Sequence, residues 1–204
     1  MKLSVPYYSQ FVDIQDSFWM LRACGGLCLK MVAEYHLSVD NLSNEDGKVV
    51  PCILELCNEA KERGGYDMQN GWVHDYLVTK AQELGLQAYR KEGITSLEEI
   101  YASLDAGNPV IVSVEKRVLE QTRFHLVVLT GFEQHADSRR LDADLADNTN
   151  GIVQELAISY QLPTTSCLYY HETESTDKEK GKFRSCDEST FLQYFRGKAI
   201  FITK

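Results

Sequence analysis

The order of two sequence patterns predicts an α+β fold for this chain of 204 residues. Apolar residues recur at helical spacing in a first half at about 11–105, whereas β-branched runs dominate a second half at about 109–204. Repeated βαβ units would alternate the two patterns along the chain, so we expect a helical part packed on an antiparallel sheet. We find no internal repeat and predict one domain over residues 1–204.

Four helices are predicted in the first half of the chain. The first begins at Cys24, within the stretch from Trp19 to His36, and its Leu27 and Met31 side chains share one apolar face. The other three are predicted at Cys52–Arg63, at Gly71–Leu84, and from Thr95 or Ser96 through Leu104. Glycines after the second and third of these helices are suited to end them.

Strand patterns occupy most of the second half. Strands are predicted at 86–90, 109–114, 124–132, 168–171 and 198–203, with a short strand or extended segment at 3–8. A polar link between the second and third of these favours a hairpin or a loop. The remaining stretches are a loop at 38–50, an exposed excursion at 133–150, a strand or helix at 152–160, a charged loop at 173–182 and a short helix at 189–194.

Charge and hydropathy narrow the possible functions. The chain has 21 Lys and Arg against 30 Asp and Glu, a formal net charge of −9, which argues against nucleic acid or an anionic membrane as the main partner. No apolar run approaches the ~18 residues that a membrane span requires. Because the N-terminal stretch MKLSVPYYSQ also lacks the apolar core of a signal peptide, we expect a cytoplasmic protein.

The cysteine spacing predicts neither a metal site nor disulfides. Six cysteines stand at positions 24, 28, 52, 57, 167 and 186, and none forms a Cys-x-x-Cys pair. A structural zinc site would require tighter pairing, with histidines nearby. We therefore expect no metal and no cofactor, and free thiols in a reducing cytosol. No feature of the sequence predicts the oligomeric state.

Cys24 is the candidate nucleophile. At the start of a helix, unpaired backbone N–H groups and the positive end of the helix dipole favour a thiolate over a thiol. Gly25 and Gly26 follow directly, and such poor helix formers indicate a need for close backbone approach near the sulfur. A single cysteine on an apolar helix is more often ordinary core, and Cys28, one turn later, keeps that interpretation.

A cysteine nucleophile needs a base, which can be distant in sequence. Among the five histidines, His125 opens the strand pattern HLVVLTG, and a rigid strand end can hold an imidazole firmly. We interpret His36, at the end of the first helix, as a surface residue that suits the helix dipole, and His74 as surface or packing. His135 lies in the polar excursion, and His171 closes a late strand.

Several short motifs occur in a fixed order along nearly the whole chain. They are VPYYSQ at 5–10, a tryptophan at 19, ACG at 23–25, GNPVIVSV at 107–114, HLVVLTGF at 125–132, YYHE at 169–172 and FRGKAIFI at 195–202. In this order they resemble the C39-like cysteine peptidases, papain-fold relatives of the bacteriocin-processing peptidase domains. The resemblance implies a papain-like fold for the single domain.

The resemblance also implies roles for individual residues. Cys24 matches the family's nucleophile, and His125 matches its general base. Gln10, at the end of VPYYSQ, matches the glutamine whose side-chain amide stabilises the oxyanion of the tetrahedral intermediate together with the Cys24 backbone N–H. Gln15 is nearer to Cys24 in sequence and remains the competitor for this role.

The third group departs from the family pattern. The family has an Asp, often followed by Pro, after the strand that follows the histidine strand, whereas Glu172 and Thr173 stand there in this chain. A glutamate can also accept a hydrogen bond from the imidazole and hold its tautomer. Asp147 and Asn148 are the rivals, and choosing Glu172 makes about 135–165 an insertion.

The implied function is a cysteine peptidase or related amidase that acts on a peptide or protein substrate through a thioester. The acidic balance of the chain hints at basic or neutral peptides. The sequence does not separate hydrolysis from transfer to another nucleophile. Two alternatives remain open, a non-catalytic peptide-binding relative and a redox sensor that uses Cys24 and Cys28. The reactivity of the Cys24 thiol would separate them.

Overall fold

The computed structural model describes residues 2–38, 49–118, 121–136 and 164–204. The helices of this part are α1 Gln10–Asp13, α2 Cys24–Ser38, α3 Ile53–Glu62, α4 His74–Glu83, α5 Glu98–Asp105, α6 Lys178–Gly181 and α7 Glu188–Tyr194, with a 3-10 turn at Trp19–Leu21. Its strands are β1 Tyr66–Asp67, β2 Gly71–Trp72, β3 Gln87–Glu92, β4 Val110–Val118, β5 Gln121–Ala136, β6 Thr164–His171, β7 Arg184–Asp187 and β8 Phe195–Thr203. The predicted α+β class is confirmed.

Six strands form one antiparallel sheet in the order β3-β8-β4-β5-β6-β7. The β-branched run at 109–114 lies within β4 apart from its first residue, and β4 pairs directly with β5. The two predicted strands are therefore neighbours in the sheet. It places His125 opposite Val114, near the centre of the sheet.

One buried cluster joins the helices to the sheet. Helix α2 packs against β4, β5 and β8, and its Leu29, Met31 and Val32 side chains are almost fully buried together with residues of these strands. Burying such apolar side chains stabilises the fold by about 1.5–3 kcal/mol each. The N-terminus of α2, where Cys24 lies, is thereby fixed relative to β5.

A second, smaller cluster supports the chain just before Cys24. It contains Ile14, Trp19, Ala23, Leu27 and Cys57, all nearly inaccessible to solvent. The Trp19 indole N–H donates to the Asn58 side chain at 2.8 Å, so this bulky residue keeps its polar group satisfied while its ring is buried. The segment that leads into α2 is therefore packed in a buried cluster of its own.

The predicted helix at Gly71–Leu84 is wrong over its first three residues. Gly71 has a φ of +81°, which is unsuited to a helix, and β2 pairs with β1 instead. The Asp67 carboxylate accepts backbone hydrogen bonds from Gln69 and Asn70 and closes the intervening turn. The helix α4 thus begins at His74.

Two further predictions need correction, and a third is narrowed. His36 is buried rather than on the surface, because the end of α2 packs on β8 and the His36 ring bonds the Ile202 carbonyl at 2.9 Å. Residues 3–8, predicted as a short strand or an extended segment, form no strand, although the Leu3 N–H donates to the Thr130 carbonyl. The predicted loop at 173–182 contains the short helix α6.

Several predictions fall on 39–48 or 137–163, outside the described residues. They are the strand or helix at 152–160, nearly all of the loop at 38–50, and most of the excursion at 133–150 and of the insertion at 135–165. Within the described part of the chain, no helix has the length and apolar character needed to cross a membrane.

Candidate active site

Cys24 is the first residue of α2, as its sequence context predicted. Its sulfur is hydrogen-bonded to the His125 side chain and also interacts with backbone groups of Leu126 and Gly25. The thiol is partly buried and not in a disulfide. The helix start and the head of HLVVLTG, 101 residues later in the chain (125 − 24), therefore meet at the sulfur.

The close approach predicted at the two glycines is made by Trp72. A Cβ atom added to Gly25 would overlap the Trp72 indole, and one added to Gly26 would crowd both this ring and Cys57. The indole N–H donates to the Arg22 carbonyl at 2.7 Å. The Trp72 side chain from β2 thus packs against the N-terminus of α2 next to Cys24.

His125 lies in the interior of β5 with its side chain almost fully buried. Its Nε2–H donates to Glu172 Oε1 at 2.7 Å. Because Nε2 is engaged there, Nδ1 is the ring nitrogen left for the Cys24 sulfur. Nδ1 also lies 3.8 Å from Glu174 Oε1, beyond hydrogen-bond range.

Glu172 follows β6 directly, one residue past the pairing of His171 with Val128. Its backbone N–H donates to the Gly181 carbonyl at 2.9 Å, and its own carbonyl accepts the Tyr7 hydroxyl at 2.7 Å. A Cβ at Gly181 would overlap this tyrosine, so the glycine permits the contact. These bonds fix the backbone of Glu172, and its longer arm reaches the imidazole.

The electrostatics of the three groups favour charge separation. Burial alone would raise the pKa of Cys24, but the hydrogen bond and charge of His125 lower it below its ordinary value. Burial would lower the pKa of His125, yet its bonds to Cys24 and Glu172 raise it to about 9. For Glu172, burial opposes ionisation, and His125 together with Lys116 nevertheless holds the pKa of the carboxyl below its usual value. The arrangement stabilises a thiolate beside an imidazolium.

Gln10 is fully buried close to these three residues and is connected to them through Thr173. Its Nε2 donates to the Met20 carbonyl at 3.2 Å, and its Oε1 accepts the Thr173 hydroxyl at 2.9 Å. That hydroxyl lies 3.4 Å from His125 Nε2, so one residue connects Gln10 with the imidazole. Gln15, the competitor, is exposed.

A cleft of about 440 Å³ opens beside Cys24 and His125. Its walls include Trp72, Phe124 and Glu174, and Glu174 pairs with Lys116 and Arg123. Sequence reasoning missed Trp72, Thr173 and Glu174. Thr173 and Glu174 directly follow Glu172, which was the available signal, while Trp72 left none because its partner is distant in sequence.

The other candidates have structural surroundings. Cys28 is buried, its thiol donates to the Leu126 carbonyl at 3.4 Å, and burial raises its pKa well above the ordinary value. His171 is buried between backbone partners, whereas His74 lines the cleft. Asp147, Asn148 and the His135 side chain lie outside the described residues. Among the described residues, no cluster of three or more His, Cys, Asp or Glu is arranged to bind a metal.

Two solved structures resemble this chain in fold. The peptidase domain of Streptococcus ComA, a bifunctional ABC transporter involved in a quorum-sensing pathway, is 17% identical, with a TM-score of 0.50 and coverage of 90% of this chain and 92% of that domain. A double-glycine-motif protease from an AMS/PCAT transporter, solved with the leader peptide, is 15% identical, with a TM-score of 0.52 and coverage of 100% and 94%. At these identities the likeness concerns the fold, which is papain-like.

The comparison with sequences is more specific about the family. No curated protein sequence matches this chain significantly. The model of the Peptidase_C39 like family matches residues 2–161, more than half of the chain. This range includes Cys24 and His125 and ends before Glu172. The family match is accompanied by the same fold and by the cysteine–histidine contact. The chain therefore belongs to the Peptidase_C39 like family.

Proposed function

We propose that this protein is a cysteine-dependent hydrolase of peptide or amide bonds. The observation that carries the proposal is the continuous contact from the Cys24 sulfur through the His125 imidazole to the Glu172 carboxylate, beside an open cleft. A thiolate–imidazolium pair is the activated form of a cysteine nucleophile. The leader peptide bound by a structural relative supports a peptide as the substrate.

In the proposed reaction, the Cys24 thiolate attacks the carbonyl carbon and forms a tetrahedral intermediate. The Cys24 backbone N–H and the Gln10 amide stabilise its oxyanion, and for this the amide must turn from the Met20 carbonyl. The C–N bond then breaks, and His125 gives its proton to the leaving amine. Water, deprotonated by His125, attacks the resulting thioester and releases the acid and the thiol.

Glu172 acts through His125. Its carboxylate keeps the proton on Nε2, orients the ring and stabilises the imidazolium. Hydrolysis, rather than transfer to another nucleophile, requires that water reaches the thioester. The cleft is open to solvent, which favours water as the second nucleophile. A binding module without catalysis would not require the Cys24 pKa to be lowered, and a redox sensor would require a more accessible partner than the buried Cys28.

The experiment is the rate of iodoacetamide alkylation at each cysteine, measured by peptide mass spectrometry over a pH series. Cys24 should react at pH values well below ~8.5, the pKa of a free thiol. His125→Ala should abolish this reactivity at acidic and neutral pH. A peptide library incubated with wild type and with Cys24→Ala then tests cleavage. If Cys24 reacts no faster than the exposed Cys52, the nucleophile is not activated and the hydrolase proposal fails.

A further inference from the structure

The lining of the cleft carries the opposite charge from the chain as a whole. The chain has a formal net charge of −9. In contrast, the described residues that line the cleft include three arginines, Arg22, Arg123 and Arg196, and a single carboxylate, Glu174. A substrate group in the cleft is influenced more by this local charge than by the screened charge of the distant surface.

Glu174 does not neutralise all of these arginines. Its carboxylate is almost fully buried and is paired with Arg123 and with Lys116, whose Nζ lies 2.7 Å away. Neither Arg22 nor Arg196 takes part in a salt bridge with a carboxylate of the described residues, whose salt bridges involve other cations. The cleft therefore retains two arginines without a carboxylate partner there.

Arg196 is held on the sheet wall of the cleft. Its guanidinium lies over the Phe124 ring, 3.4 Å from the centroid, and Nη1 donates to the Ser113 hydroxyl at 3.0 Å. These contacts fix the cation on the wall of the cleft that also contains His125 and leave further N–H groups of the guanidinium for a ligand. Burial lowers the pKa of Arg196 more than the charges of Glu115 and Glu92 raise it, and an incoming carboxylate would stabilise this desolvated cation further.

Arg22 lies on the helical wall, two residues before Cys24. Its Nη1 donates to the Phe18 carbonyl at 3.0 Å, and its guanidinium lies 4.5 Å from the centroid of the Phe18 ring. Each wall of the cleft thus presents one arginine that is positioned by an aromatic ring and a hydrogen bond. Arginine in this setting favours a carboxylate, which it can bind through two parallel hydrogen bonds.

We propose that the cleft selects peptides with a carboxylate close to the reacting bond, bound mainly by Arg196 and assisted by Arg22. The carboxylate can belong to an acidic side chain or to the C-terminus of a peptide. This inference rests on the proposed function for the reacting bond, whereas the preference for an anion does not require turnover. It differs from the preference for basic or neutral peptides that the whole-chain charge suggests.

The first test compares two alkylating reagents at Cys24, anionic iodoacetate and neutral iodoacetamide. The ratio of their rates cancels changes in the thiolate fraction, so it reports the potential at the sulfur. We expect the iodoacetate-to-iodoacetamide ratio to fall about three- to tenfold in Arg196→Gln, and also in Arg22→Gln, at low salt. Lys180→Gln, which removes one positive charge from a side chain that is 83% exposed, should leave the ratio unchanged.

The second test uses peptides that protect Cys24 from iodoacetamide. Peptides that differ only by Glu or Gln at one position, each made with a free or an amidated C-terminus, identify the source of the carboxylate. Acidic peptides should protect at concentrations at least about tenfold lower than their neutral counterparts, a difference of ~1.4 kcal/mol, and Arg196→Gln should remove this advantage. Circular dichroism melts confirm that each variant is folded.

Both tests can overturn the inference without reference to peptide cleavage. Equal protection by acidic and neutral peptides, or an alkylation ratio in Arg196→Gln and Arg22→Gln equal to that of Lys180→Gln, would contradict an anion-selective cleft. If no peptide is cleaved while the acidic ones still protect Cys24, the hydrolase proposal fails and the anion preference remains.

Discussion

His125 Nε2 lies 2.7 Å from Glu172 Oε1, and both side chains are buried. The same carboxylate oxygen accepts the Glu174 backbone N–H at 3.0 Å, and Glu172 Oε2 lies 3.5 Å from Lys116 Nζ. These partners stabilise an ionised carboxylate in a poorly solvated place. A glutamate can therefore occupy the position at which the family pattern has an aspartate.

Replacing Glu172 with Gln should reduce peptide hydrolysis by about 10²–10⁴-fold, because the imidazole loses the charge that orients it and supports its protonated form. The pKa of His125 should also fall, since Glu172 is one of the groups that raise it. The measurements are kcat/KM and the pH at which the rate of Cys24 alkylation by iodoacetamide changes on the alkaline side.

Glu174→Gln is the matched comparison for this prediction. Glu174 is the other carboxylate near the ring, but its oxygen lies 3.8 Å from Nδ1 and is engaged by Lys116 and Arg123. We expect a much smaller loss of kcat/KM. Equal losses in the two variants would show that general electrostatics, rather than the hydrogen bond to Nε2, accounts for the role of Glu172.

The raised pKa of His125 predicts a pH dependence of stability. The folded-state pKa of about 9 exceeds the ordinary value of 6.5, so the stabilisation by the protonated ring is complete below about 6.5 and is lost as the pH rises through about 9. The free energy of unfolding in urea, measured for wild type and His125→Gln at several pH values, tests this. The difference in the free energy of unfolding between wild type and His125→Gln should shrink between neutral pH and about pH 10. A constant difference would contradict it.

Local patterns were sufficient to predict the elements that carry the site. The apolar face that includes Leu27 and Met31 predicts α2, and β-branched runs predict the β4–β5 pair with His125 in it. Both signals arise from burial of one continuous apolar face, which the sequence displays directly. The assignment of Glu172 needed the family resemblance, because the residues between β5 and β6 do not reveal how the strands meet.

Other features could not be predicted because they depend on contacts between distant segments. Trp72 and Tyr76 fall at helical spacing, yet Trp72 belongs to β2 and packs on Gly25, 47 positions away (72 − 25). His36 is polar and ends a helix, yet a strand from the other end of the chain covers it. In both cases tertiary packing overrode the local pattern.

Gln10 and Gln15 can be separated by comparing two reactions of the same sulfur. Alkylation by iodoacetamide develops no oxyanion, whereas amide hydrolysis passes through one. Gln10→Ala should therefore lower kcat by about 10²–10³-fold and leave the alkylation rate of Cys24 nearly unchanged. Gln15→Ala, at an exposed position, should alter neither rate.

The same comparison distinguishes a catalytic role of Gln10 from a purely structural one. Gln10 is buried and bonds the Met20 carbonyl and the Thr173 hydroxyl, so Gln10→Ala is expected to lower the melting temperature. Kinetics are measured below the melting temperature of the variant. Parallel losses of alkylation and hydrolysis would mean that Gln10 positions the site through Thr173 and does not stabilise the oxyanion.

Gly25→Ala tests whether the contact with Trp72 sets the packing around the nucleophile. The added methyl group would overlap the indole, and forcing a group into a packed region costs about 1–3 kcal/mol. Urea unfolding of Gly25→Ala, Trp72→Leu and the double variant measures the coupling between the two positions. The alanine should be less costly when the indole is absent, because leucine leaves room for it. Additive effects would mean that the backbone freedom of Gly25, and not the close approach of Trp72, explains the glycine beside Cys24.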